Sequence, residues 1–211
     1  MSEVVLYDYW RSSAAYRVRI ALNLKGIAYR AVPIDLVKSE QCDPAYVARN
    51  PQGLVPALEI DGHFLTQSLA IIDYLDARHK EPAMVPSDPA ARSAVLARAL
   101  LIAADIHPIN NLRVLNYLRS TLGADDAAVA AWYRHWILEG FKALEAGAPD
   151  ERLFGGAQPD LADVCLVPQM ANARRFDTPL DAFPRLVRID AALQAIPAFA
   201  AAAPDAVKRP D

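Results

Sequence analysis

The 211-residue sequence has few cysteines and no motif for a nucleotide or a metal. Its two cysteines, Cys42 and Cys165, lie far apart, so they form no CxxC redox pair, zinc motif or disulfide framework. Such sparse cysteine usage favours a reducing cytoplasm. The eight glycines form neither GxGxxG nor GxxxxGK[ST], and the four histidines include no HExxH pair. We therefore expect neither a Gly-rich nucleotide loop nor a catalytic metal.

The sequence also lacks a basic surplus and a long apolar run. Lys and Arg number 22 against 25 Asp and Glu, a net charge of −3, which offers no basic field for nucleic acid or anionic lipid. The most apolar stretches, residues 94–104 and 191–203, are interrupted and fall short of the ~20 residues of a membrane span. The amino terminus shows no basic, then apolar, signal pattern. These features predict a cytoplasmic protein without nucleic-acid or membrane partners.

The first part of the chain alternates strand and helix patterns. Serines precede an apolar helical repeat that stops at Gly26, and Asp61-Gly62 predicts a tight turn between two strands. The predicted strands are 4–7, 28–34, 57–60 and 63–65, and the predicted helices are 14–25 and 68–78, the last capped by Ser68. The order is β-α-β-(α)-β-β-α, and the helix between the first two strands predicts a parallel crossover.

No strand pattern follows the proline-rich linker at residues 79–89. Asp88 and Pro89 predict the start of a long helix to about Leu122, kinked at Pro108. Further helices are predicted at 125–146, 160–174 and 184–196. We therefore predict an α/β domain at residues 1–80 and an all-helical domain at residues 88–211.

Two segments of the first domain have the chemistry of a binding site. Arg11-Ser12-Ser13 lies between the first strand and the first helix, where hydroxyls either cap the helix or donate to a bound anion. Val55-Pro56 stands just before a strand. A cis bond there would leave the Val55 main chain open to a peptide-like ligand, although X-Pro bonds are usually trans.

Other polar groups have a structural explanation beside a functional one. Gln67 and Ser68 suit a carboxylate, but a routine helix cap is the commoner explanation. In the long helix, His107, Asn110 and Asn111 share one face, with Arg113 at its edge, which makes either a solvated face or a pocket wall.

The residues from 160 to 175 are better explained by a structural role than by a chemical one. Asp160 and Asp163 predict a carboxylate capping box, and Cys165 lies among apolar neighbours as a core thiol. Arg174 and Arg175 end the same helix, where basic residues usually complement the helix dipole.

The order of these motifs resembles that of the zeta class of glutathione transferases, essentially from end to end. The motifs that carry the resemblance are residues 11–22, 50–58, 67–72, 105–113 and 161–169. The first is specific to the class, whereas Val55-Pro56 and Gln67-Ser68 are shared by glutathione transferases generally. The resemblance implies a thioredoxin-like amino-terminal domain with a glutathione site, a helical domain that completes the substrate pocket, and a homodimer.

The resemblance also implies a role for individual residues. Ser12, with Ser13 beside it, would activate the thiol of glutathione, and Arg175 would act on the substrate. The residues implied in holding glutathione are Ser12, Gln52, the Val55 main chain, Gln67, Ser68, His107 and Asn111. Because the substrate would carry two carboxylates or enolised dicarbonyl groups, we expect Arg11, Arg113 and Arg175 to bind it. Many eukaryotic members have cysteine where this chain has Ala14, so no protein thiol acts at that position.

The implied activity is cis–trans isomerisation of a diketo acid, maleylacetoacetate to fumarylacetoacetate, by reversible addition of a thiolate to the double bond. The same motifs suit isomerisation of maleylpyruvate. Two further alternatives are conjugation of glutathione to small electrophiles and a non-catalytic glutathione-binding module. Consumption of glutathione separates conjugation from isomerisation, and an unshifted thiol pKa would mark the binding module.

Overall fold

The computed structural model describes residues 3–208, which divide into two compact units. One unit runs up to Ala83 and resumes at Ala195, and the other is Met84–Gln194. The predicted helical domain, 88–211, therefore differs from this division at its carboxyl end. Buried Arg19 donates from Nε to the Ala202 carbonyl at 2.9 Å, which ties the last segment to the first unit. The sequence analysis predicts no helix after residue 196 and does not indicate that this segment packs with the first unit.

The first unit is built on a four-stranded sheet in the order β2-β1-β3-β4. Its elements are β1 (Val5–Asp8), α1 (Ser13–Leu24), β2 (Arg30–Pro33), a 3₁₀ turn (Glu40–Cys42), α2 (Pro44–Val47), β3 (Ala57–Ile60), β4 (His63–Thr66) and α3 (Ser68–Arg78). β1 and β2 are parallel, whereas β3 is antiparallel to both β1 and β4. This confirms the predicted thioredoxin-like order and its parallel crossover.

Local sequence explains the boundaries of the β3–β4 hairpin. Asp61 and Gly62 both have positive φ, 51° and 79°, as a two-residue turn of the primed type requires. The turn therefore holds the register Ile60 opposite His63 and Ala57 opposite Thr66. β3 is buried along most of its length because it lies between β1 and β4.

The second unit is helical. Its elements are α4 (Pro89–Leu100), a π-helix (Leu101–Ile106), α5 (His107–Ile109), α6 (Leu112–Ser120), α7 (Asp126–Ala146), α8 (Leu161–Arg175) and α9 (Pro184–Gln194), and the first unit then takes α10 (Pro197–Ala200) and α11 (Pro204–Val207). The predicted helix to Leu122, kinked at Pro108, is wrong in its extent, because it ends at Asn110. Pro108 has no N–H for the preceding turn, the chain widens into a π-helix before it, and the helix ends at Asn110, whose φ is −102°.

The capping box of α8 is confirmed. Asp160 accepts from the Asp163 N–H, and the Asp163 carboxylate accepts from the N–H groups of Phe154, Gly155 and Asp160 at 3.0, 2.9 and 3.0 Å. The box thus fixes both the start of α8 and the loop that precedes it. Cys165 is buried in this helix.

Within residues 3–208, no helix combines the length and apolarity that crossing a bilayer requires. The same residues contain no group of three or more His, Cys, Asp and Glu side chains that could hold a metal ion.

Candidate functional site

Three of the candidate segments begin or end at one edge of the sheet. Tyr7, near the end of β1, pairs with Ala57 at the start of β3, and Ala57 pairs with Thr66 at the end of β4. The chain therefore leaves β1 toward Ser12, enters β3 from Val55 and leaves β4 toward Gln67 at the same edge. The fold brings these segments together although they are distant in sequence.

Ser12 caps α1 and keeps a proton to donate. Its Oγ accepts from the Ala15 N–H at 3.2 Å, and its own N–H donates to the Tyr9 carbonyl at 2.8 Å. A serine hydroxyl that accepts through a lone pair still carries its O–H donor. Ser13 is the first residue of α1 and is buried. Capping and anion binding by Ser12 are thus compatible.

The Val55–Pro56 peptide is cis. The Val55 side chain packs with Ile34 and Tyr46, and none of the described residues hydrogen-bonds to its main chain. A main chain without a hydrogen-bond partner can pair with a peptide-like ligand.

The loop before Val55 is held by two side chains that sequence reasoning missed. Asn50, from Nδ2, and the Tyr46 hydroxyl both donate to the Leu54 carbonyl at 2.7 Å. Asn50 lies in the recognised motif, but its contact with Leu54 depends on the loop conformation. Gly53 has φ of 59°, the left-handed region that favours glycine.

The side chains of Gln52 and Gln67 are hydrogen-bonded to each other. Gln67 donates from Nε2 to Gln52 Oε1 at 2.6 Å, and both side chains are exposed. Gln67 has φ of 66°, an unfavourable value for a non-glycine residue, and such residues cluster at ligand clamps. The two exposed amides are therefore placed to bind polar groups of a ligand.

The prediction that Ser68 caps α3 is wrong. Gln67 occupies the cap position without a capping side-chain hydrogen bond, and Ser68 is the first helical residue. The Ser68 Oγ instead accepts from Arg17 Nη1 at 3.3 Å. Because the Gln67 side chain does not cap α3, the first N–H groups of this helix are candidate donors to an anion.

Arg11 is exposed and is held by two aromatic residues. Its Nη2 donates to the Tyr9 hydroxyl at 2.7 Å, and its guanidinium lies 4.9 Å from the Trp10 ring centroid. Arg11, which is predicted to contact the substrate, is thus already bound to two residues of its own loop.

The predicted shared face of His107, Asn110 and Asn111 is not formed, because the helix ends between them. Asn110 turns inward and donates to the Tyr133 carbonyl at 3.1 Å. Asn111 caps α6 by accepting from the Arg113 N–H at 3.1 Å. His107 is half-buried at the start of α5, and Arg113 is exposed in the first turn of α6.

Arg175, the last residue of α8, projects from the second unit as an exposed side chain. Its guanidinium lies 4.9 Å from the centroid of the Phe176 ring, and its charge partly offsets the rise in the pKa of Tyr133 that burial causes. The neighbouring Arg174 is instead paired with buried Asp190. Of the two arginines, Arg175 is the one oriented by aromatic residues.

Comparison with known proteins extends over the whole chain. Residues 6–83 match the family model described as glutathione S-transferase, N-terminal domain. The chain is 50% identical to the maleylacetoacetate isomerase of Rhizobium meliloti over 98% of this chain and 99% of the relative. It is 46% identical to the maleylpyruvate isomerase of a Ralstonia species over 95% of this chain and 97% of that protein.

Solved structures agree with these relatives. A holo maleylpyruvate isomerase, described as a bacterial zeta-class glutathione S-transferase, aligns with a TM-score of 0.94 at 46% identity, over 98% of this chain and 99% of that chain. A maleylacetoacetate isomerase of Methylobacterium extorquens AM1 with bound malonate and glutathione aligns with a TM-score of 0.93 at 38% identity, over 97% of this chain and 98% of that chain.

Proposed function

Because the chain belongs to the zeta class of the glutathione transferases, we propose that it catalyses the glutathione-dependent cis–trans isomerisation of maleylacetoacetate to fumarylacetoacetate. The observation that carries this proposal is the 50% identity to a maleylacetoacetate isomerase over 98% of the chain. The grouping of Ser12, Val55 and Gln67 at one sheet edge supports it.

The residues at this edge fit glutathione, which combines a thiol, peptide bonds and carboxylates. The Val55 main chain would form peptide hydrogen bonds with the cysteinyl part of glutathione, and Gln52 would contact the same part. Gln67, Ser68 and the amino end of α3 suit the γ-glutamyl carboxylate. When bound, glutathione would supply a thiolate that adds to and leaves the conjugated double bond, so that the bond can rotate.

Ser12 is proposed to hold that sulfur as a thiolate. An ordinary thiol has a pKa of about 8.5, so lowering it by about two units requires ~2.7 kcal/mol of differential stabilisation. A hydroxyl donor to a charged acceptor contributes ~1.5–3 kcal/mol, and the amino end of α1 adds to it. Ser12 retains its donor proton while it caps α1, and Ser13 is the adjacent hydroxyl.

Arg175 is proposed to bind a carboxylate of the diketo-acid substrate, with Arg11 and Arg113 as further candidates. Arginine suits carboxylates because its planar group donates two parallel hydrogen bonds. An exposed guanidinium held on Phe176 supports the assignment to Arg175. The resemblance to the zeta class supports His107 and Asn111 as further glutathione-binding residues.

The test is an ultraviolet assay of cis-to-trans conversion of maleylacetoacetate with catalytic glutathione. Isomerisation predicts many turnovers per glutathione, no conversion without it and an unchanged glutathione concentration. Stoichiometric consumption of glutathione would instead identify a conjugating transferase. Arg175→Ala with normal kcat/KM would remove Arg175 from the mechanism.

Maleylpyruvate is the second candidate substrate. The TM-score of 0.94 and 46% identity to a holo maleylpyruvate isomerase favour it. The ratio of kcat/KM for the two substrates, measured with one purified preparation, decides between them. A ratio that favours maleylpyruvate would replace the first assignment without changing the proposed chemistry.

We also propose that the protein is a cytoplasmic homodimer. The resemblance to the zeta class supports the dimer. Cys42 and Cys165, which form no disulfide with each other, support a reducing compartment. Light scattering of the purified protein tests the dimer, and fractionation of cells tests the compartment.

A further inference from the structure

An aromatic pair in the second unit lies directly beside Arg175. The rings of Tyr133, on α7, and Phe176, just after α8, stack with centroids 3.6 Å apart and planes 11° from parallel. Tyr133 is only 3% exposed, whereas Phe176 is half-buried. We call Tyr133 and Phe176 the aromatic platform.

Both members of the platform contact the Arg175 guanidinium. Phe176 presents its ring face 4.9 Å away, within the range of a cation–π contact. The Tyr133 side chain lies near the same group. Burial raises the pKa of Tyr133, which Arg175 only partly offsets, so its hydroxyl stays neutral and can accept from the guanidinium.

The platform is itself held by the main chain. Arg134, next to Tyr133 on α7, donates from Nε to the Phe176 carbonyl at 2.7 Å. The Phe176 N–H donates to the Asn172 carbonyl at 3.1 Å, which closes the last turn of α8. Two consecutive residues of α7 thus fix Phe176, one through its ring and one through its carbonyl.

A rigid support matters for Arg175 because its side chain is long and exposed. An unsupported arginine populates many rotamers and loses that freedom when it binds a ligand. A guanidinium held in advance on a ring loses less freedom, so more of its binding energy remains for the carboxylate.

We propose that Tyr133 and Phe176 are positioning residues that pre-organise Arg175 to receive a substrate carboxylate. This inference rests on the proposed function, in which Arg175 binds the substrate. It goes further by assigning the orientation of Arg175 to two aromatic residues of the helical unit, one of them buried.

Two variants test the platform at different points. Tyr133→Phe keeps the ring stack and removes the hydroxyl, whereas Phe176→Leu keeps apolar bulk and removes the ring face. We expect each to raise KM for the diketo acid roughly three- to tenfold, with kcat nearly unchanged, as loss of uniform binding predicts. The KM for glutathione should not change. Tyr117→Phe is the matched control, because Tyr117 is an exposed tyrosine on α6.

A double-mutant cycle with Arg175→Ala shows whether the platform acts through Arg175. Tyr133→Phe should have no further effect once Arg175 is absent. An equal loss in both backgrounds would overturn the inference, because Tyr133 would then act by another route. Wild-type KM in both platform variants, with an impaired Arg175→Ala, would overturn the inference and leave the proposed function standing.

Binding of maleate to the glutathione-loaded protein, measured by calorimetry, gives a readout that does not depend on turnover. Maleate affinity should fall in Tyr133→Phe, Phe176→Leu and Arg175→Ala and remain unchanged in Tyr117→Phe. If the protein binds maleate in this pattern but isomerises neither substrate, the proposed function fails and the platform is supported. If maleate affinity is the same in all variants, the platform inference is overturned.

Discussion

A serine hydroxyl has one proton to donate and lone pairs with which to accept, and Ser12 has a use for each. It accepts from the Ala15 N–H as the cap of α1 and retains the proton for a ligand. A sequence pattern cannot separate a cap from an anion donor, because both need a small hydroxyl residue before a helix. The geometry removes the conflict between the two interpretations.

Replacing Ser12 by alanine should therefore affect both stability and activity. We expect Ser12→Ala to lower the free energy of unfolding by about 1 kcal/mol, as for other lost caps, and kcat/KM roughly ten- to a hundredfold. The pKa of the thiol of bound glutathione should rise, which ultraviolet absorbance of the thiolate measures.

Asp88→Ala is the control for Ser12→Ala. Asp88 caps α4 by accepting from the Ala91 N–H at 2.8 Å, so its loss removes a cap in the other unit. It should lower stability by a similar amount and leave the thiol pKa unchanged. An unchanged thiol pKa in Ser12→Ala would contradict the role of Ser12 in thiolate stabilisation.

Helices and strands were predictable where local residues decide them and not where distant packing does. The β3–β4 hairpin follows from Asp61-Gly62, whose backbone angles are set within the turn. The π-helix depends on α7, where Gly140 leaves space for Ile106. A Cβ at Gly140 would lie 2.2 Å from Ile106 Cδ1, a contact between residues that no local pattern connects.

The contact between Gly140 and the π-helix can be tested by filling the space. Alanine is the better helix former by ~1 kcal/mol, but the overlap with Ile106 should outweigh this. We expect Gly140→Ala to lower the free energy of unfolding by about 1–3 kcal/mol in urea denaturation.

Ile106→Val removes Cδ1 and should partly restore the stability of Gly140→Ala. The control is Gly147→Ala at the end of α7, where the nearest atom to an added Cβ is 3.7 Å away. Equal stability of Gly140→Ala and the wild type would show that the π-helix does not need the glycine.

The start of α8 should make stability depend on pH. Burial and the neighbouring Asp160 carboxylate raise the pKa of Asp163 to about 7, although three N–H groups donate to it. Between its usual pKa of about 4 and this value, the folded protein binds more protons than the unfolded chain. The free energy of unfolding should therefore fall as pH rises through this window.

The slope has an upper limit of about 1.4 kcal/mol per pH unit, since one proton is involved. Urea denaturation between about pH 5 and about pH 8 of the wild type and Asp163→Asn measures it, because asparagine does not titrate. The stability of the wild type relative to the variant should decrease with pH. Parallel profiles would refute the raised pKa of Asp163.

At the scale of the whole molecule, the sequence predicted the strand–helix order and the residues of the sheet edge, but not their supports. Ser12, Val55 and Gln67 stand in local motifs that carry their chemistry. Tyr133 and Phe176 do not, because their significance arises only when α7 packs beside the end of α8. The assignment of the last segment to the first unit likewise depends on contacts with α1.

Because the last segment packs with the first unit, losing one of its buried side chains should destabilise the first unit. Phe199, in α10, is fully buried, and α10 packs against α1. Phe199→Ala should lower the free energy of unfolding by about 3–5 kcal/mol. Hydrogen exchange should show lost protection in α1 and retained protection in α7. Loss of protection in α7 alone would contradict the assignment of this segment.

Because the first unit consists of two separate chain segments, the order of translation affects when each unit can fold. Met84–Gln194 is one continuous stretch and can complete its packing as soon as it emerges. Residues up to Ala83 are translated earlier, but the acceptor for Arg19 and the ring of Phe199 follow only after Gln194. The segment that is synthesised first must thus wait, and its sheet stays without the last helices until the second unit has been translated.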